Sequence, residues 1–335
     1  MPRPDIDSFD TEIYKEIADL ILHEDPNEVM RAFPLDSSEI GVLKVIGDRD
    51  DIAEILLKGE EKVVRRFRRP ALFIQDNTFS GFNDQSYRSA EMWKSFLDEN
   101  REAINIAILG VGRIEDRFDK GYGSAVLIRD DVLLTNEHVA RDLVRRVVDN
   151  AGDASWEWRV HPKNQKPMKF RIDFRQEHER VDEIDFELTE ILFVSETDVD
   201  IALFRCETTL NDDRVQPVTL AEDVSKDTKI GVIGYPSEDE AYTDTIEIDA
   251  ERIFEGVYNV KRIAPGEISR FDQGKIFHDC STLPGNSGSA VINLETGALV
   301  GLHYYGDIDD NIALDIELIR TTIDPYIISQ DDLLT

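Results

Sequence analysis

CSTLPGNSGSA, residues 280–290, packs Pro284, Gly285, Asn286, Ser287, Gly288 and Ser289 into consecutive positions of a chain otherwise rich in bulky and charged residues. Such a run is either a surface loop tip or a turn whose backbone N–H groups converge on a ligand, with Ser287 at its apex. The flanking sequence decides between them.

Directly downstream, AVINLETGALVGLH (290–303) reads as a β-hairpin turning through residues 294–297. Upstream, KFRIDFRQ (169–176) places Phe170, Ile172 and Phe174 on one face of a strand. GSAVLI (123–128), FELTEILFV (186–194), DIALFR (200–205) and KIGVIGYP (229–236) are further short β-rich runs bounded by Gly, Asp or Pro. From about residue 107 onward, many short strands and little helix predict an all-β barrel or sandwich.

Two other places in that region carry chemistry. VLLTNEHVA (132–140) sets His138 just after a strand, and DIALFR opens with Asp200 ahead of an apolar run. A serine hydroxyl is a weak nucleophile at neutral pH and needs an imidazole to take its proton. The imidazole needs a carboxylate to fix its tautomer and stabilise the imidazolium. The developing oxyanion needs preorganised N–H donors, which the backbone of Gly285 and Ser287 can supply if glycine permits the unusual turn. His138, Asp200 and Ser287 are therefore the candidate catalytic residues. An esterase of the α/β fold would need the order Ser, Asp, His and an elbow ahead of a helix, which this chain lacks.

TNEHV (135–139), DIALFR and GNSGSA (285–290) resemble the signature blocks of the chymotrypsin-like serine peptidases, in the bacterial trypsin-like and glutamyl endopeptidase branch. The resemblance covers residues 107–325. It implies two six-stranded β-barrels packed at an angle, the His138–Asp200–Ser287 triad in the cleft, and a C-terminal helix. DIELIRTTI (315–323), expected to end before Pro325, is placed for that helix, and GYGSAVLI (121–128) resembles the strand pair before the histidine block. The implied activity is serine endopeptidase cleavage of protein or peptide substrates, with no metal or organic cofactor. Asn286 stands where animal digestive enzymes carry an acidic residue, so their activation by a newly cut N-terminus is not carried over. A catalytically silent scaffold used for binding is the alternative, and the intact triad speaks against it.

The resemblance also locates the pocket for the P1 side chain, at Ser281, Thr282 and His303. Ser281 stands where a carboxylate would select Arg or Lys. Thr282 and His303 match positions that receive an acidic side chain in glutamyl endopeptidases, where a hydroxyl and an imidazolium give charge-assisted donors. An acidic P1 residue is therefore expected. His278 reads as structural and Cys280 as a small core residue.

The N-terminal third lies outside the resemblance. Ile13, Ile17, Leu20 and Ile21 form one helical stripe, Asp36 and Glu39 form a capping box, and Ile52, Ile55, Leu56 and Val63 continue a third helical pattern. Residues 1–75 are expected to be a small all-α domain that binds a protein partner or regulates the peptidase. It ends in KVVRRFRRP (62–70), whose Arg65, Arg66, Arg68 and Arg69 would complement a helix C-terminus. Residues 76–106 read as a linker and a connecting helix from Ser89 to about Asn105, and 326–335 as a tail.

Across 335 residues, 41% hydrophobic content supports a real core. The net charge of −32 argues against nucleic-acid binding. No apolar run approaches the length of a membrane span, so no membrane association is expected. MPRPDIDSFD carries no apolar leader segment, and two cysteines, Cys206 and Cys280, are too few for a disulfide framework, so a cytoplasmic location is expected.

Overall fold

The computed structural model describes residues 69–80, 89–149, 151–207, 209, 212–238, 253–306 and 311–327, with isolated positions 22, 23 and 44. The expected helical domain thus falls, up to residue 68, almost wholly outside the described residues, as does the tail beyond residue 327. The chain divides into two compact units, residues 1–68 with 83–94, and residues 69–82 with 95–335.

In the second unit, β3 (Val111–Asp116), β4 (Gly121–Arg129), β5 (Val132–Thr135), β8 (Phe170–Asp173), β9 (Asp185–Val194) and β10 (Ala202–Cys206) close into a barrel in the order β10-β5-β4-β3-β8-β9. The alternation read from KFRIDFRQ is why. Phe170, Ile172 and Phe174 are buried, and Ile114, Leu127, Leu133 and Phe204 meet them from the other strands. Each large side chain so buried contributes about 1.5–3 kcal/mol. A ribbon of β6 (Val144–Val148) and β7 (Ala154–Trp158) is inserted between β5 and β8.

A second barrel follows the same logic. β11 (Lys229–Gly234), β14 (Ala290–Asn293), β15 (Leu299–Gly306), β16 (Asn311–Asp315), β13 (Lys275–His278) and β12 (Arg262–Asp272) pair in that order, and β12 returns to β11. Ile230, Val232, Ile276, Val291 and Val300 fill its interior. Closure removes the free strand edges that would otherwise seek partners. The result is two six-stranded antiparallel β-barrels, as the resemblance implied. The hairpin read from AVINLETGALVGLH is β14–β15, with Gly297 at φ 71° in its turn.

Several boundaries differ from expectation. Residues 72–80 are neither the end of a helical domain nor a linker. β1 (Leu72–Gln75) and β2 (Thr78–Ser80) form a hairpin, and β1 joins the second barrel through Leu72↔Ile263 and Phe73↔Arg262 of β12. The connecting helix is two, α1 (Ser89–Glu99) and α2 (Arg101–Leu109), because Asn100 leaves helical geometry and its Nδ2 donates to the Phe96 carbonyl. After α3 (Glu137–Leu143), the C-terminal helix α4 (Ile316–Ile327) buries Ile316, Ile319 and Ile323 and runs through Pro325. A proline in a last turn forfeits one backbone hydrogen bond without stopping the helix.

Candidate active site

Strand register brings the first two site residues together. Ala202 of β10 pairs with Thr135 of β5, so the start of one antiparallel strand and the end of the other lie at the same rim of the first barrel. Asp200 precedes Ala202 by two residues, and His138 follows Thr135 by three, in the first turn of α3. Across that rim His138 Nδ1 and Asp200 Oδ2 are 2.6 Å apart, while Asp200 Oδ1 accepts the backbone N–H of His138 at 2.9 Å. The aspartate backbone carbonyl also accepts Asn136 Nδ2 at 3.0 Å. Asp200 is therefore held at three points, two of them on His138.

Ser287 reaches the same rim from the other barrel. Its carbonyl accepts the N–H of Ser124 at 2.8 Å, and the Ser124 carbonyl in turn accepts Thr135 Oγ1 at 2.7 Å. Ser287 is half-buried, and its hydroxyl forms no hydrogen bond with a described residue. Such contacts are often long in a free enzyme and tighten around substrate.

The small residues of the opening stretch build the turn expected of them. The Pro284 carbonyl accepts Ser237 N–H at 2.6 Å, and the Asn286 carbonyl accepts Ser289 N–H at 2.9 Å. In a trans peptide the C=O and N–H point in opposite directions, so these bonds turn the N–H groups of Gly285 and Ser287 away from the protein's own acceptors. Among the described residues neither finds an acceptor, whereas the Asn286 and Gly288 N–H groups bond to Leu283 and His303 carbonyls. Gly285 and Gly288 have φ of 87° and 83°, and a Cβ at Gly288 would collide with the Ser124 carbonyl oxygen. Asn286 serves the turn internally, donating Nδ2 to the Leu283 carbonyl and accepting Ser289 Oγ.

The expected P1 residues are buried close to this turn. Ser281 Oγ donates to the Arg69 carbonyl at 2.6 Å. Thr282 Oγ1 donates to Asn311 Oδ1 at 2.6 Å, and the Asn311 amide is oriented by donating Nδ2 to the Cys280 carbonyl. The Thr282 hydroxyl proton is thus taken inside the protein, which corrects the expectation that it faces a ligand as a donor. His303 Nδ1 lies 3.2 Å from His278 Nε2, leaving His303 Nε2 as the nitrogen for a ligand. Burial pushes His278 down to about 3, and burial followed by the proximity of His278 and His138 holds His303 well below the usual histidine range. Both rings are thus held toward the neutral form, so burial works against the imidazolium expected at His303. Cys280 is buried in the second barrel's core, and burial pushes its thiol well above the usual range.

The trypsin-like peptidase domain matches residues 123–302, more than half of the chain. The chain belongs to the trypsin-like peptidase family. No curated protein matches it in sequence. Among solved structures, Deg5 is similar with a TM-score of 0.46 and 16% identity over 70% of this chain and 95% of that one. A serine endoprotease from Yersinia pestis is similar with a TM-score of 0.41 and 18% identity over 68% of this chain and 65% of that one.

Two residues of this trypsin-like peptidase that support the site escaped sequence reasoning. Ser124 is fully buried, and its hydroxyl donates to the Gly285 carbonyl at 3.0 Å while accepting Tyr235 N–H, with Ser289 Oγ 3.3 Å away. It pins the turn to the first barrel from both its backbone and its side chain. The sequence places Arg69 at a basic helix end, yet it is 3% exposed. Its guanidinium donates to Asp279 at 2.7 and 3.1 Å and to Glu267 at 3.0 Å, while its carbonyl holds Ser281. Arg65, Arg66 and Arg68 lie outside the described residues. Arg69→Met is expected to leave the Asp279 carboxylate buried without its cation, and the loss of a buried partner costs about 3 kcal/mol. A urea titration checks the stability loss; a rise in KM larger than any fall in kcat would report that displacement around Ser281 reaches substrate binding.

Proposed function

We propose that this chain is a serine endopeptidase working through His138, Asp200 and Ser287. The observation that carries the reading is the open pair of N–H groups at Gly285 and Ser287, on a turn tied to the rim where His138 is already paired with a carboxylate. In this reading His138 Nε2 takes the Ser287 proton as Oγ attacks the peptide carbonyl. The Gly285 and Ser287 N–H groups receive the oxyanion, His138 protonates the leaving amine, and water then releases the acyl group. Loss of one such N–H donor typically costs about 10²–10³ in turnover.

The P1 pocket is read as acidic in preference. No carboxylate stands at position 281 to favour Arg or Lys, Asp279 is neutralised by Arg69, and His303 Nε2 is the ring nitrogen that His278 leaves unused. The N-terminal region, residues 1–75 as expected from the sequence, is read as the module that recruits a partner or restrains the peptidase.

A fluorophosphonate probe tests the triad. Labelling of the wild type is expected, with labelling of Ser287→Ala abolished and that of His138→Ala reduced by at least about 10³. Equal labelling of wild type and Ser287→Ala would remove Ser287 from the mechanism. If the full chain stays unlabelled, repeating the reaction without residues 1–68 separates a restrained enzyme from a silent scaffold.

A further inference from the structure

The chain's net charge of −32 makes its few basic clusters conspicuous. Residues 159–171, RVHPKNQKPMKFR, hold five Lys or Arg and no Asp or Glu, and they fold beside the β3–β4 loop, which carries Arg117 and Lys120. The two segments enclose a groove of about 230 Å³, lined in part by Arg117, Phe118, His161, Lys166, Met168 and Lys169. Phe118 is 69% exposed, with the Arg117 guanidinium 4.6 Å from its ring centre.

The acidic groups here are already engaged. Asp116 accepts the N–H groups of Phe118 and Lys120 and the Tyr122 hydroxyl, while Asp119 pairs with Arg171 at 2.8 Å. Lys169 pairs with Glu187. Arg117, Lys120, Lys163 and Lys166 form no ion pair with a described residue. An aromatic surface ringed by uncommitted cations is matched by an acidic chain with an apolar side chain.

Continuity with the active site identifies which chain. β4 leads from Lys120 to Ser124, whose N–H holds the Ser287 carbonyl, a span of about 13 Å at 3.3 Å per residue. The P1 pocket residues lie on the second barrel, whereas this strand lies on the first. The acyl half of a substrate occupies the pocket, so its amine half runs toward β4 and the groove.

We infer that the groove is a substrate site for acidic residues about three to five positions C-terminal to the scissile bond. This inference rests on the endopeptidase reading above. An extended polyanion such as nucleic acid is disfavoured by the acidic surface, while a groove of this size holds one or two side chains.

Paired fluorogenic peptides test it, identical through P1 and carrying either Glu-Glu-Phe or Gln-Gln-Phe from the third residue after the cleaved bond. The acidic peptide is expected to have a kcat/KM about tenfold higher at low salt, through KM, with the advantage lost at about 0.5 M NaCl. Arg117→Glu/Lys166→Glu should bring the ratio to one or below. A ratio of one in the wild type, or one unchanged in the double variant, overturns the proposal. If neither peptide is cut, the endopeptidase reading fails separately, and fluorescence anisotropy of the labelled acidic peptide decides the groove. Salt-sensitive binding lost in the double variant supports it, and no binding overturns it. Stronger competition by a single-stranded oligonucleotide than by the unlabelled peptide would also overturn it.

Discussion

Asp200→Asn is expected to lower kcat by about 10⁴, or roughly 5.5 kcal/mol, with KM nearly unchanged. The reason lies in the two oxygens' separate duties. Oδ1 accepts the backbone N–H of His138 at 2.9 Å, and Oδ2 faces Nδ1 at 2.6 Å. An asparagine amide would keep its oxygen on the backbone N–H and so present its NH₂ to Nδ1. The imidazole would then carry its proton on Nε2, the nitrogen that must be empty to take the Ser287 proton. Because both side chains stay hydrogen-bonded, the fold should be unaffected, and a matched melting temperature would separate this outcome from unfolding. A fall in kcat of less than tenfold, measured by active-site-titrated peptide hydrolysis, would remove Asp200 from the role given to it.

How much of this was legible in the sequence follows from how local the determinants are. The Gly285–Ser289 turn was readable because positive φ and close approach restrict the residue types within six positions. The barrel strands were readable where alternation is strict, as at Phe170, Ile172 and Phe174. The hairpin at residues 72–80 was missed although its signal was present. Asp76 and Asn77, both at positive φ, join LFIQ to TFS, the chemistry of a two-residue β-turn. Preceding helical patterns masked it.

Arg69 and Ser124 were illegible for a different reason. Arg69 meets Asp279 across 210 positions of sequence, and Ser124 meets Gly285 across 161. A lone arginine in a basic run or a serine in a strand carries no local mark of such a partner. His278 reads as structural from the sequence, and its 3.2 Å contact with His303 Nδ1 is invisible there because the two lie 25 positions apart. The Thr282 hydroxyl failed as a donor for the same kind of reason, since Asn311 comes from another strand. Side chains that position a site through long-range contacts become visible only once the barrels close.

The largest remaining consequence concerns that imidazole pair. His303 and His278 are neutral when the pocket is empty, held low mainly by burial. His278 Nδ1 is buried without a hydrogen-bond partner, so a proton arriving there would meet a bare acceptor. A P1 glutamate bound at His303 Nε2 brings an anion against the pair and raises its proton affinity. The complex then binds more protons than the free enzyme, so acidic-substrate affinity rises as pH falls toward the free pair's low range and is lost as pH rises through the complex's higher one. The ratio of kcat/KM for Glu over Gln at P1 is therefore expected to fall by up to about tenfold per pH unit between the free pair's low range and that midpoint and to level off above it, while the triad's own pH dependence cancels in the ratio. His303→Leu should lower kcat/KM for the Glu peptide by about 10²–10³ and flatten the ratio, since a pocket that loses this donor strands the carboxylate. A Glu/Gln ratio near one at every pH, or faster cleavage after Phe or Arg, would sink the acidic-pocket reading while leaving the triad untouched.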